Sequence, residues 1–179
     1  MATYKEINGT AVQNYAGNLP GTADGQVWYD STAADFKYQY LSVTTAGAWR
    51  TGANLNTARR HIDGAGSSTA GLAIGGYTGS PSALTESYNG TTWTEVNDLG
   101  TARYGGGGFG TQTSALLGGG GYPYKTNTEL WNGTNWTEVN DLNVAKGTTT
   151  GAGADNTAGI IAGGGPSPTA AQTELWNGT

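Results

Sequence analysis

The chain is 179 residues long, with 32 glycines, six tryptophans, ten tyrosines, no cysteine and a formal net charge of −5. Its eight lysines and arginines gather nowhere beyond the pair Arg59-Arg60, which argues against nucleic acid as a main partner, because phosphate binding draws on a concentrated basic face. The lack of cysteine removes disulfides and thiol chemistry, and no apolar run reaches the ~18 residues of a membrane-spanning helix, so no membrane insertion is expected.

In chain order, residues 1–20 are polar and largely unrepeated, and read as an N-terminal arm or a closing strand. Nothing there has the charged-then-apolar pattern of a secretory signal. Leu19-Pro20-Gly21 opens a turn-rich link that runs to residue 25. Two aromatic strands follow, residues 26–30 and 35–40, around a turn at 31–34. Trp49 then aligns with the last strand of the later units, so residues 26–55 read as a diverged first blade.

Further on, the chain repeats itself. Trp49, Trp93 and Trp136 stand 44 and 43 residues apart, as do Leu55, Leu99 and Leu142. Thr69, Thr113 and Thr157 each open an apolar run that ends on paired glycines, Gly75-Gly76, Gly119-Gly120 and Gly163-Gly164. The segment TESYNGTTWTEVNDL at 85–99 returns as TELWNGTNWTEVNDL at 128–142 and in part as TELWNGT at 173–179. A period near 44 suits the four-stranded blade of a propeller and not the shorter helical repeats.

Within the first complete unit, strands are expected near 61–67, 69–76, 83–89 and 92–99. Asn89-Gly90 and Asn132-Gly133 are expected as type I′ hairpin turns, with positive φ at both positions. No window sustains the apolar period of a helix. The expected fold is an all-β propeller of four-stranded antiparallel blades spanning 21–179, with full blades at 58–99 and 102–142 and a partial one at 145–179. Trp49, Trp93, Trp136 and the paired glycines are expected anchors. The glycine-rich stretches 105–108 and 151–153 are expected where innermost strands crowd the central axis.

The partial blade leaves an unpaired edge that invites association. Three closures are open: residues 4–12 supply the missing strand, a second copy supplies it, or the chain is part of a longer parent. The stop in mid-motif favours the last.

Paired glycines followed by an aromatic residue and a tryptophan, Gly75-Gly76 with Tyr88 and Trp93 and Gly119-Gly120 with Trp131 and Trp136, resemble the kelch repeat. Residues 2–7 (ATYKEI), residues 25–29 (GQVWY) and the repeated units together resemble repeat-rich proteins encoded by uncultured marine bacteriophages. That resemblance covers nearly the whole chain. It implies a virion location, as tail fibre, appendage or head decoration, with other virion proteins or further copies of the chain as partners.

Recurrent charges get a structural reading, because copies in every blade do the same work in every blade. Glu86, Glu129 and Glu174 share one position, Glu95 and Glu138 another, Asp98 and Asp141 a third. Arg59, Arg103 and Lys146 are expected to pair with Asp98 and Asp141 from blade to blade, at ~0–1 kcal/mol for exposed pairs. With one histidine and no cysteine, no metal site, copper radical chemistry or cofactor is expected. No catalytic residue is assigned. A glycan-degrading enzyme with a carboxylate pair is a remaining alternative.

The units differ most in the loops between their second and third strands, at 77–82, 121–126 and 166–169, which share a face with the loops between blades. Tyr77, Tyr122, Tyr124 and Lys125 are therefore the expected contacts for a host surface glycan or protein, with Arg60, His61 and Tyr104 beside them. A purely structural assembly module is the other alternative.

Overall fold

The computed structural model describes residues 13–15, 27–38, 47–166 and 168–178; the expectations for 4–12 and for the link at 19–25 lie outside the described residues. The chain divides into two compact units, residues 1–50 and 51–179.

In the first unit β2 (Val27–Asp30) and β3 (Asp35–Tyr38) form the expected antiparallel hairpin. The Asp30 carboxylate accepts from the Thr32 and Ala33 amides at 2.9 and 3.1 Å, a local bond that favours a turn over further strand. β1 (Gln13–Tyr15) pairs with β2 in parallel. The span 26–55 thus contributes two strands, and its third partner comes from the arm, which is not the four-stranded antiparallel pattern of a blade. Residues 47–50 form no strand and Trp49 is 101% exposed. Without a sheet face beneath it, Trp49 is not a buried anchor.

The second unit carries the repeat. β4 (Asp63–Gly66), β5 (Gly71–Ile74), β6 (Thr85–Tyr88) and β7 (Trp93–Val96) form one four-stranded antiparallel sheet in sequence order. β8 (Gly107–Thr111), β9 (Ser114–Gly118), β10 (Thr128–Trp131) and β11 (Trp136–Val139) form a second. β12 (Thr150–Asp155), β13 (Ala158–Ala162) and β14 (Thr173–Trp176) form a third sheet of three strands. The architecture is all-β and propeller-like. A single 3₁₀ turn at Thr169–Ala171 is the one helical element among the described residues.

The Asn-Gly hairpins differ from expectation. Gly90 and Gly133 take φ of 91° and 92°, while Asn89 and Asn132 stay out of the positive region. Each turn is a four-residue loop closed by the asparagine side chain: the Asn89 carboxamide oxygen accepts from the Thr91 and Thr92 amides at 2.9 and 2.8 Å, and that of Asn132 from Thr134 and Asn135 at 2.9 Å each. Asparagine is there as an acceptor and not for left-handed backbone. The glycine beside it gives room to a repeated threonine, since a Cβ on Gly90 would meet the Thr69 carbonyl at 3.4 Å and one on Gly133 that of Thr113 at 3.4 Å.

The core lies between sheets. Leu72 and Ile74 of the first blade pack with Ala115, Leu117 and Trp131 of the second, and Phe109 and Leu116 of the second pack with Ile161 of the third. Trp136 reaches back across the first of these joints, its indole N–H donating to the Thr85 hydroxyl at 3.0 Å. The crowding that calls for glycine here is between blades. A Cβ on Gly107 would meet Ile161 at 3.0 Å, and one on Gly153 would meet the Phe109 ring at 2.5 Å. The paired glycines mark the same joint. Gly75 and Gly119 turn the chain at φ of 61° and 70°, and the following amides, of Gly76 and Gly120, donate to the carbonyls of Arg103 and Lys146 in the next blade's entry loop at 2.9 and 2.7 Å. Gly163 and Gly164 repeat the turn at φ of 70° and 69°.

The repeated charges form a lock other than the expected one. Arg59 pairs with Glu86 at 2.8 Å and Arg103 with Glu129 at 3.1 Å, all four side chains being buried. Asp98 and Asp141 instead hold their own blades, accepting from the Thr85 amide at 3.2 Å and the Thr126 hydroxyl at 2.9 Å. Each glutamate also gathers its blade's entry segment: Glu86 accepts from the Asn56 amide at 2.7 Å, Glu129 from that of Gly100 at 2.7 Å, and Glu174 from that of Asn143 at 2.6 Å. The arginine fork adds a second bond to a strand carbonyl, Ala73 at 3.2 Å or Leu117 at 3.1 Å. Lys146 is a point donor without that fork, and its ammonium goes to the Gln172 carbonyl at 2.9 Å.

Candidate functional site

The lock fixes the blade-entry loops, and these carry three of the seven expected binding residues, Arg60, His61 and Tyr104. His61, Gly105 and Thr148 are repeat-equivalents with φ of 53°, 59° and 55°. They are linked from blade to blade, the Gly105 amide donating to the His61 carbonyl at 3.0 Å and the Thr148 amide to that of Gly105 at 2.6 Å. The left-handed backbone at His61 is therefore a property of the repeat, and its exposed imidazole is held at a fixed place by it.

On this frame six of the seven expected contact residues come together. The Arg60 guanidinium lies 4.8 Å from the Tyr77 ring centre. Tyr77 meets Tyr104 edge-on at 5.1 Å, and His61 lies 5.8 Å from Tyr104. The Tyr104 hydroxyl accepts from the Tyr122 amide at 3.1 Å, and Tyr122 meets Tyr124 at 5.8 Å, nearly perpendicular. Glycines make the surface beneath them: a Cβ on Gly121 would meet the Tyr104 ring at 3.3 Å, and one on Gly147 the Tyr124 ring at 2.7 Å. The seventh residue, Lys125, is placed by backbone pairing with Lys146, whose amide donates to its carbonyl at 2.9 Å.

The result is a ledge of aromatic faces and edges with a cation at one end. Tyr122 is 76% exposed at the other end. Such a surface offers flat apolar area and hydroxyls at low conformational cost, suited to sugar faces or to peptide side chains. Arg59 and Arg103, which share these loops in sequence, are turned inward to the glutamates and contribute nothing to the ledge.

Sequence reasoning missed Asp63. Its repeat-equivalents are Gly107 and Thr150, so its signal was its singularity at a repeated position. It sits on β4 against the second blade, where it accepts from the Gly106 amide at 2.9 Å. Burial pushes its carboxyl up to about 7, against the opposing pull of the Gly106 bond and the Arg103 charge. Burial likewise pulls the Arg103 guanidinium below its ordinary value, and Glu129 and Asp63 oppose that shift.

No protein-family model matches the chain, and no curated protein matches it. Among solved structures, that of YjhT matches with a TM-score of 0.56 at 14% identity, over 83% of this chain and 47% of that one. At such an identity the likeness shows the fold alone. The chain spans about half the length of that neighbour.

Proposed function

We propose that this protein is a non-enzymatic, kelch-like propeller component of a phage virion, a tail fibre, appendage or decoration, that holds a host surface glycan or protein on its aromatic ledge. The observation that carries the binding half of this reading is the convergence of Arg60, His61, Tyr77, Tyr104, Tyr122 and Tyr124 from two blades onto one continuous surface. The virion half rests on the resemblance of the repeated units to phage-encoded proteins. Asp63 has Arg103 as its charged neighbour and not a second carboxylate, which favours packing over the paired acids of a glycan-degrading enzyme.

Replacing Tyr122 and Tyr124 together by alanine removes the exposed end of the ledge and leaves the buried clusters between the blades alone. The expected outcome is loss of adsorption to host cells with an unchanged melting temperature; adsorption at the wild-type level would remove the ledge as the binding surface.

A further inference from the structure

Charge is unevenly distributed over the second unit. Residues 51–179 hold five lysines and arginines against nine aspartates and glutamates. Three of the five cations, Arg59, Arg103 and Lys146, are buried and engaged by a glutamate or a backbone carbonyl. The other two, Arg60 and Lys125, belong to the loops of the ledge, and so does the chain's one histidine, His61. Among the described residues neither Arg60 nor Lys125 has a carboxylate within ion-pair distance.

The carboxylates of these blades are engaged elsewhere. Asp63, two residues from His61, accepts from the Gly106 amide at 2.9 Å, Asp98 from the Thr85 amide at 3.2 Å and Asp141 from the Thr126 hydroxyl at 2.9 Å. The exposed Glu95 and Glu138 lie on β7 and β11, the last strands of their sheets. A polyanion is therefore repelled along those strands and, in this unit, meets cations at the ledge. Arg60 is held ready for it. Its backbone exchanges amide-to-carbonyl bonds with Tyr77 at 3.1 and 2.7 Å, and its guanidinium carbon lies 4.8 Å from the Tyr77 ring centre. The ring occupies one face of the guanidinium and fixes its plane, while the N–H edge stays available for paired bonds to a planar carboxylate.

We propose that the ledge takes an acidic polysaccharide, with the carboxylate of one uronate unit on the Arg60 fork beside His61 and the neighbouring sugar rings along Tyr104 and Tyr122. The proposal rests on the ledge being the binding surface and adds the class of its ligand. An acidic polypeptide brings the same carboxylate, but its flexible side chains give the tyrosines no ring face to lie on. A uronate chain brings the charge and the flat ring together, and so matches both halves of the surface.

The test uses the full chain, a short oligogalacturonate, and the same oligomer with its carboxyls reduced to alcohols. Calorimetry is expected to show binding of the acidic oligomer that falls ~10-fold or more on carboxyl reduction, the scale of a hydrogen bond to a charged group, and that weakens as salt is added. Arg60→Gln, at an exposed side chain, is expected to keep the melting temperature, to bring the acidic oligomer down to the level of the reduced one, and to leave the reduced one unchanged. Equal binding of the two oligomers, binding of neither, or wild-type affinity in Arg60→Gln overturns the proposal. Tighter binding of polyglutamate than of the oligogalacturonate overturns it in favour of an acidic polypeptide. The ledge is judged separately by adsorption of the Tyr122 and Tyr124 double variant. Lost adsorption with no preference for the acidic oligomer keeps the ledge and removes the acidic class, whereas retained adsorption removes the ledge reading itself.

Discussion

At the scale of single residues, the charged groups show how far position in a repeat differs from position in space. Arg103 and Glu129 are 26 residues apart in the chain and buried against each other. Removing one partner leaves the other buried charge without its ion-pair partner, so Glu129→Ala is expected to cost ~3–5 kcal/mol, and combining it with Arg103→Met to recover much of that loss. Chemical denaturation checks both. A double mutant no more stable than the single would mean that the strand carbonyl bond, and not the charge, is what Arg103 contributes. Asp63 makes a different statement. In the unfolded chain it titrates at its ordinary 3.8, and in the fold at about 7. Below 3.8 it is neutral in both states; between the two values the folded state keeps a proton that the unfolded chain has released. Its stabilisation is therefore complete at acid pH and is lost as pH rises to 7. Asp155, held below its ordinary value by Thr157, runs the other way, so total stability does not isolate Asp63. The difference between wild type and Asp63→Asn does: the variant is expected to gain on the wild type from pH 4 to pH 8, and a gap independent of pH would place Asp63 at its ordinary value.

At the scale of strands and turns, period and turn chemistry were legible, and partners were not. The repeat placed every strand of the first complete unit within its expected segment, because a strand needs only its own alternation and its bounding turns. The Asn-Gly turns were found for the wrong reason, since a carboxamide acceptor and a left-handed asparagine read alike in sequence. Trp49 was misplaced because alignment fixes a residue's repeat position and says nothing of whether a neighbouring sheet exists to bury it. Glycine was the least legible residue. Gly159 lies in a strand with ordinary backbone, and the Phe109 ring from the preceding blade explains it, because a methyl there would overlap that ring. Gly159→Ala is thus expected to cost ~1–3 kcal/mol as an overpacked joint. Phe109→Leu in the same chain should return part of that cost, and a cost unaffected by the second change would show that the strand itself, not the ring, rejects the methyl.

At the scale of the whole second unit, stability follows from how many neighbours a blade has. A sheet in a stacked array is held by its own hydrogen bonds and by the joints on each side, so its local opening free energy scales with the joints it shares. β9, in the middle blade, is buried at four of its five residues, and Phe109, Leu116 and Trp131 of that blade serve joints on both sides. β14, in the third blade, alternates between exposed and half-buried, is the outermost strand of its sheet among the described residues, and depends on Lys146 where the other blades have a buried arginine–glutamate pair. The expected order of hydrogen-exchange protection is therefore β9 and β10 first, β5 and β6 close behind, β13 lower and β14 lowest. The gap between β10 and β14 should be at least ~100-fold, since ~2–3 kcal/mol is the scale on which a lost joint and a lost pair act. If β14 exchanges as slowly as β10, its opening is coupled to the rest and the unit melts as one cooperative body. A protection gap confined to β14 and β13 instead would make the third blade a local folding unit, ordered chiefly by what it pairs with.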